Sequence, residues 1–176
     1  STTKISLIDS IDHILEEFML CIKRDKIRLI EDNLLSSLNR LLHKADMIDK
    51  VEIDPNTFHI KTYRANNLIY KENLSAGERQ IYAIALLWAL TRSSNKPMPF
   101  IIDTPLARLD SMHRSNLVLN FLPNASHQVI VFSTDTEIDK IYFNELKQYI
   151  SRTYHLIYNN GAVNVQQDNI AKLRAE

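Results

Sequence analysis

Apolar positions along residues 1–45 fall at helical spacing in two phases. Leu7, Ile11, Ile14, Phe18 and Cys21 recur at steps of four and three, a heptad-like seam. The seam breaks at Lys23-Arg24-Asp25-Lys26 and resumes in a new register at Ile27, Ile30, Leu34, Leu38 and Leu41. Such a stripe has two destinations, the domain's own core or the root of a coiled-coil arm. Cys21, inside the first seam, reads as a small packing residue. Short alternating runs at 51–54 and 57–63, about the turn Asp54-Pro55-Asn56, predict a β-hairpin. Residues 64–73 read as a polar connector. From Ser75 to about Arg92 the period is helical, with Ile81, Ile84, Ala85, Trp88 and Ala89 on one face, and residues 93–97 end it. Phe100-Ile101-Ile102 and 128–132 are continuous apolar runs, which predict buried parallel strands. Residues 111–121 and 136–149 read as helices. The runs 152–158 and 162–166 flank Asn159-Asn160-Gly161, a strong hairpin signal. Strands alternating with helices predict an α/β fold with its functional loops at the carboxyl ends of the strands.

Composition narrows the class without naming a function. The 176 residues suit one compact domain, and 45% hydrophobic with 24% charged residues is globular usage. Formal net charge is zero, so no global charge announces a nucleic-acid or membrane surface. No apolar run reaches the length of a membrane span. A single cysteine excludes an internal disulfide and fits a reducing, cytoplasmic setting. The chain opens on Ser1 instead of Met, which predicts a piece of something longer. Only Gly77 and Gly161 are glycines, so the sequence has no G-x-x-x-x-G-K-[ST] phosphate loop. His13, His43, His59, His127 and His155 show no metal-ligand spacing, and Lys23, Arg24, Lys26 and Arg28 read as a solvated helix face, with a small DNA-contacting patch as the alternative.

Two strings carry candidate chemistry. Leu74 to Gln80 reads L-S-A-G-E-R-Q, a loop opening into a helix. Unpaired N–H groups and the positive dipole end there form a ready anion site. Ser75 adds a hydroxyl and Gly77 permits close backbone approach. The same residues also spell a capping box, Ser75 with Glu78, and both readings can hold together. Downstream, P-F-I-I-D-T-P-L-A-R-L-D places Asp103 at the end of an apolar strand, where a carboxylate can bind Mg²⁺ or orient water. An ordinary strand-end Asp explains that string alone; the conjunction of the two strings does not reduce so easily.

The order is signature, helix, apolar strand with terminal Asp, L-A-R-L-D, then a second strand ending in Ser133-Thr134. It resembles the C-terminal lobe of an ABC/SMC/Rad50-type ATPase head. Residues 1–46 stand where a helical arm root would stand, and 47–176 form the head lobe. Three strings, L-S-A-G-E-R-Q, I-D-T-P-L-A-R-L-D-S-M-H-R and Q-V-I-V-F-S-T-D-T-E-I, resemble the DNA sulfur-modification (DndD) family over residues 54–158. These are the SMC/Rad50-like ATPases of bacterial DNA phosphorothioation. The resemblance implies ATP and Mg²⁺ as cofactors and a cytoplasmic, bacterial, membrane-free setting. It also implies an N-terminal lobe carrying the P-loop, a homodimer of heads, DNA, and other sulfur-modification proteins as partners. By that resemblance Ser75, Ala76, Gly77, Glu78 and Gln80 act in trans on a neighbouring head's ATP. Asp103 holds Mg²⁺, Thr104 and Thr134 occupy catalytic positions, and Arg108 and Asp110 lie on the D-loop at the dimer seam. The lobe alone is expected to be inactive.

Two departures from the wider ABC pattern matter. Thr104 stands where a catalytic Glu usually follows the Walker B Asp, and Thr134 stands where a switch His usually lies. A hydroxyl cannot accept a proton at neutral pH as a carboxylate does. Both forms match the sulfur-modification branch, and both leave the base unassigned, with Asp110 or a carboxylate of the missing lobe as substitutes. The competing readings are a Rad50/SbcC-like repair ATPase, a non-hydrolysing ATP-gated DNA clamp, and a transporter nucleotide-binding domain. His113 and Arg114 match the family string without a derivable role.

Overall fold

A computed structural model describes residues 2–42, 48–134, 136–159 and 161–168, with side chains from residue 10 onward. Helix α1 (Thr2–Leu41) is a single 40-residue rod, about 60 Å long. The charged stretch at 23–26 does not break the helix; it divides two packing environments. Ile27, Leu34, Leu38 and Leu41 are buried in the core. Ile11, Ile14 and Phe18 of the first seam are exposed, Phe18 by 60%. Cys21 is exposed as well, against the expectation that it packs, because none of the described residues covers it. The side chain of Leu7 lies outside the described set.

The base of the rod is fastened by polar contacts as well as apolar ones. Strands β1 (Lys50–Ile53), β2 (Ile60–Arg64) and β3 (Asn67–Ile69) form an antiparallel sheet. The Ile53 N–H donates to Glu31 Oε1 of α1 at 2.6 Å, and the Asn39 amide brackets both backbone groups of Ile48. The predicted hairpin is β1–β2, and its turn is tied by Asp54 Oδ1 accepting from the N–H groups of Asn56 and Thr57. The polar connector is more ordered than its composition suggested. It holds β3 and a 3₁₀ turn (Lys71–Asn73), entered through Ala65 and Asn66, both at positive φ. That is the geometry of a two-residue I′ turn, whose usual Asn-Gly signal is absent here.

Helix α2 (Ala76–Ser93) lies against α1 and buries Ile81, Ile84, Ala85, Trp88 and Ala89, the face its periodicity named. Trp88 meets Phe121 edge-on at 5.2 Å, and Phe121 meets Phe100 edge-on at 5.1 Å. This aromatic relay ties α2 to the segments around residues 100 and 121, a packing mode worth about 0.5–1.5 kcal/mol per pair beyond area.

Strands β4 (Phe100–Asp103) and β5 (Val129–Phe132) pair in parallel, Asp103 opposite Phe132. They are not buried on both faces as continuous apolar runs predict: Phe100 is buried, but Ile101 is 62% exposed and Ile130 and Phe132 are also open. A parallel pair with one bare apolar face is an incomplete layer. The segment read as one helix over 111–121 is α3 (Ser111–Asn116) followed by a π turn (Leu117–Phe121), which turns Leu117, Val118 and Phe121 into the core. Residues 136–149 form helix only over α4 (Lys140–Leu146), begun where Asp139 caps Ile141 and Tyr142. Strands β6 (Tyr154–Asn159) and β7 (Ala162–Gln167) form the predicted hairpin, exposed along its whole length.

Candidate functional site

The two candidate strings converge on one cleft of about 350 Å³, lined by Ala76, Arg79, Gln80, Asp103, Thr104, Ala107 and Arg108. The helix α2 N-terminus forms one wall. Ser75 caps it: its Oγ accepts the Glu78 N–H at 3.2 Å, and Glu78 Oε2 accepts the Ser75 N–H at 2.8 Å. The capping box is therefore real. It leaves the N–H group of Ala76, which a helix cannot pair internally, on a residue that lines the cleft. The Glu78 carboxyl is held below the usual carboxylate range, first by the Ser75 N–H, then by the Ser75 hydroxyl and the charges of Arg64 and His113. Partial desolvation opposes that shift.

Gly77 owes its identity to the opposite wall. A Cβ there would stand 3.0 Å from the carbonyl oxygen of Arg108. The helix and the 104–110 loop approach so closely that a side chain there would require the Arg108 carbonyl to give by a few tenths of an ångström. Gln80 fastens the same approach, donating through Nε2 to the carbonyls of Pro105 at 2.7 Å and Thr104 at 3.4 Å. One strand-end Asp and one helix N-terminus thus share a space because Gln80 and Gly77 allow it.

Asp103 is exposed at the carboxyl end of β4, and it is the one carboxylate among the residues lining the cleft. Mg²⁺ takes one or two carboxylates with phosphate oxygens and water, so Asp103 fits one such position. Arg79 and Arg108 add positive charge suited to phosphate. Sequence reasoning did not single out Arg79, whose guanidinium folds back onto the Leu74 carbonyl. Thr104 is half-buried and sits at φ 45°, left-handed backbone that a β-branched residue rarely adopts. Such strain costs about 1–3 kcal/mol and clusters at functional loops. Its N–H donates to the Phe132 carbonyl at 2.8 Å, extending the β4–β5 ladder by one bond. Thr134 is exposed in the loop after β5, and its hydroxyl pairs with that of Thr136 at 3.1 Å. It does not line the cleft.

The remaining site residues hold the loop rather than face the cleft. Asp110 caps α3: its carboxylate accepts the His113 N–H at 2.9 Å and pairs with His113 Nδ1 at 2.9 Å. Arg114 Nε donates to the Leu109 carbonyl at 2.9 Å. His113 and Arg114, which the sequence left without a role, are fasteners of the 104–110 loop. Asp110 is committed to this capping and stands apart from the residues that line the cleft.

No protein-family model matches the sequence, and no curated protein matches it. Solved structures do resemble the fold. An Smc head domain with a coiled coil and joint from Pyrococcus yayanosii superposes with a TM-score of 0.71 at 19% identity, over 97% of this chain and 32% of that one. An Smc head domain from Pyrococcus furiosus, with an extended coiled coil and bound to the C-terminal domain of ScpA, gives 0.66 at 14% identity, over 99% of this chain and 45% of that one. A structure described under ATP-driven dimerization and DNA-stimulated activation of SMC ATPases gives 0.58 at 13% identity, with 90% of this chain and 92% of that one covered. The chain spans about a third of the first of these. It shares the fold of part of an Smc head domain, with the long helix α1 leading into it. No helix among the described residues is long and apolar enough to cross a membrane.

Proposed function

We propose that this chain is the C-terminal half of an ATPase head that closes around ATP. The observation that carries the reading is the single cleft shared by the capped N-terminus of α2 and by Asp103, with Gln80 tying the two together. The helix N-terminus and two arginines suit the phosphates of a second head's nucleotide, and Asp103 suits the Mg²⁺ of the nucleotide held by this head's own N-terminal lobe. The phosphate loop must come from an N-terminal lobe, for which the bare face of β4–β5 and the open first half of α1 are suitable seats. On this reading residues 1–46 are the arm root and 47–176 the head lobe. Ser75, Ala76, Gly77, Glu78 and Gln80 serve the nucleotide of a second head, and Arg108 and Asp110 lie near the seam.

The task we assign is DNA phosphorothioate modification, alongside DNA and other sulfur-modification proteins in a bacterial cytoplasm. The three matching strings and the Thr104 and Thr134 forms support it. When bound, Mg·ATP supplies the energy of phosphoryl transfer; the chain's residues position it. Thr104 orients water at most, and Thr134 offers a neutral hydrogen bond to a terminal phosphate. The strained Thr104 with no carboxylate beside Asp103 also favours a second reading, an ATP-gated clamp that hydrolyses slowly or not at all.

The test pairs this lobe with its N-terminal partner and measures ATP turnover and ATP-dependent dimerisation. Ser75→Arg should abolish dimerisation, and Asp103→Ala should abolish turnover. Wild-type rates in both variants would overturn the head reading. Thr104→Glu raising turnover marks an attenuated hydrolase, whereas dimerisation without turnover selects the clamp.

A further inference from the structure

Glu137 is the buried carboxylate that none of these roles uses. It is 4% exposed, in the turn after β5, and its Oε1 accepts the backbone N–H of Leu106. Its Oε2 has no hydrogen-bond partner among the described residues. An acidic side chain is seldom so enclosed unless it holds something in place. The N–H of Leu106 and the carbonyl of Pro105 belong to one peptide unit. Gln80 holds the carbonyl end at 2.7 Å, so α2 and the turn after β5 grip the same peptide from both ends. That peptide lies between the strained Thr104 and the loop carbonyl against which Gly77 packs. The turn itself is set by Thr134, whose carbonyl accepts the N–H groups of Glu137 at 3.2 Å and Ile138 at 3.3 Å.

We infer that Glu137 is a positioning residue of the cleft. With Gln80 it clamps the Pro105–Leu106 peptide, fixing the 104–110 loop against Gly77 and linking that loop to the Thr134 turn. The inference rests on the head reading above. A clamp of this kind needs an acceptor oxygen at the right reach and does not need the charge. Asp keeps the charge but is one methylene short; Gln keeps the reach and the oxygen.

The experiment uses the full chain with its P-loop lobe. It compares Glu137→Asp, Glu137→Gln and Gln80→Ala, with Asp103→Ala as control. Loss of one buried hydrogen bond predicts a drop in kcat of about ten-fold for Glu137→Asp, with KM for ATP nearly unchanged. Glu137→Gln should stay within about two-fold of wild type, a rescue that a charge-dependent role would not show. Because both grips act on one peptide, the Glu137→Asp and Gln80→Ala losses should not multiply in the double variant. A wild-type rate for Glu137→Asp, equal damage from Glu137→Gln, or independent losses each overturn the clamp. If wild-type turnover is below detection, the same comparison is read on ATP-dependent dimerisation. A fully active Asp103→Ala would sink the head reading itself; a dead Asp103→Ala beside an intact Glu137→Asp would sink only the clamp.

Discussion

The two halves of α1 carry similar apolar seams and meet opposite fates. Ile27, Leu34, Leu38 and Leu41 vanish into the core, while Ile11, Ile14 and Phe18 stand in solvent on the same continuous helix. Hydrophobic spacing reports that a face is made to be covered; it does not say by what. The covered half is also pinned by polar contacts, Asn33 Nδ2 to Ser93 Oγ at 2.8 Å and Glu31 to the Ile53 N–H. Toward the open half, Lys23 lies over the ring of Phe58 at 5.2 Å. The difference teaches that a continuous helix with a continuous apolar pattern is buried only where the described core reaches it.

Substitution breaks the comparison most directly. Leu34→Ala, at a fully buried position, should cost about 2–5 kcal/mol in urea unfolding, whereas Phe18→Ala should stay within about 0.5 kcal/mol. Equal losses would mean the first seam is packed after all. Cys21 sharpens the same contrast chemically. In this lobe it should react with a maleimide as an exposed thiol, and a returning arm helix should slow it roughly ten-fold or more. Unchanged labelling in the paired protein would remove the coiled-coil reading of that half.

Smaller effects sit on the head side. Ser75→Ala should cost about 1 kcal/mol by loss of the cap. The capping box also makes stability pH-dependent. Because the folded Glu78 carboxyl lies below its ordinary 4.5, its contribution is present above that value and lost as pH falls through the folded pKa. Glu78→Gln should flatten that part of an acid-unfolding curve. Tyr82 gives the opposite sign. Burial pushes its phenol up to about 12 from 10.0, so its stabilising share is intact below pH 10 and fades as pH rises toward 12. Tyr82→Phe should remove that alkaline slope, and an unchanged slope would place its cause elsewhere.

Legibility followed how local each determinant was. The buried face of α2, its Ser75 cap and the two hairpins were written in neighbouring residues, and the structure repeats them. Strand β3 was missed because Ala65-Asn66 takes a turn that its residue types do not announce. The helix read over 136–149 was overlong because Asp139, which starts α4, gave no clearer signal than the polar residues before it. Ile101 read as buried because a continuous apolar run is the same string whether its second layer lies in this chain or in another.

The sequence by itself determined the two chemical strings, their order and the absence of a phosphate loop, since these depend on residue type and spacing. Only the tertiary structure decided that the strings share one cleft. It decided too that Gly77 packs tightly against the Arg108 carbonyl, that His113, Arg114 and Glu137 hold the 104–110 loop, and that Ile11, Ile14 and Phe18 of α1 are exposed. Each of these depends on contacts between residues far apart in the chain. Such contacts are set by packing geometry, which no local pattern encodes.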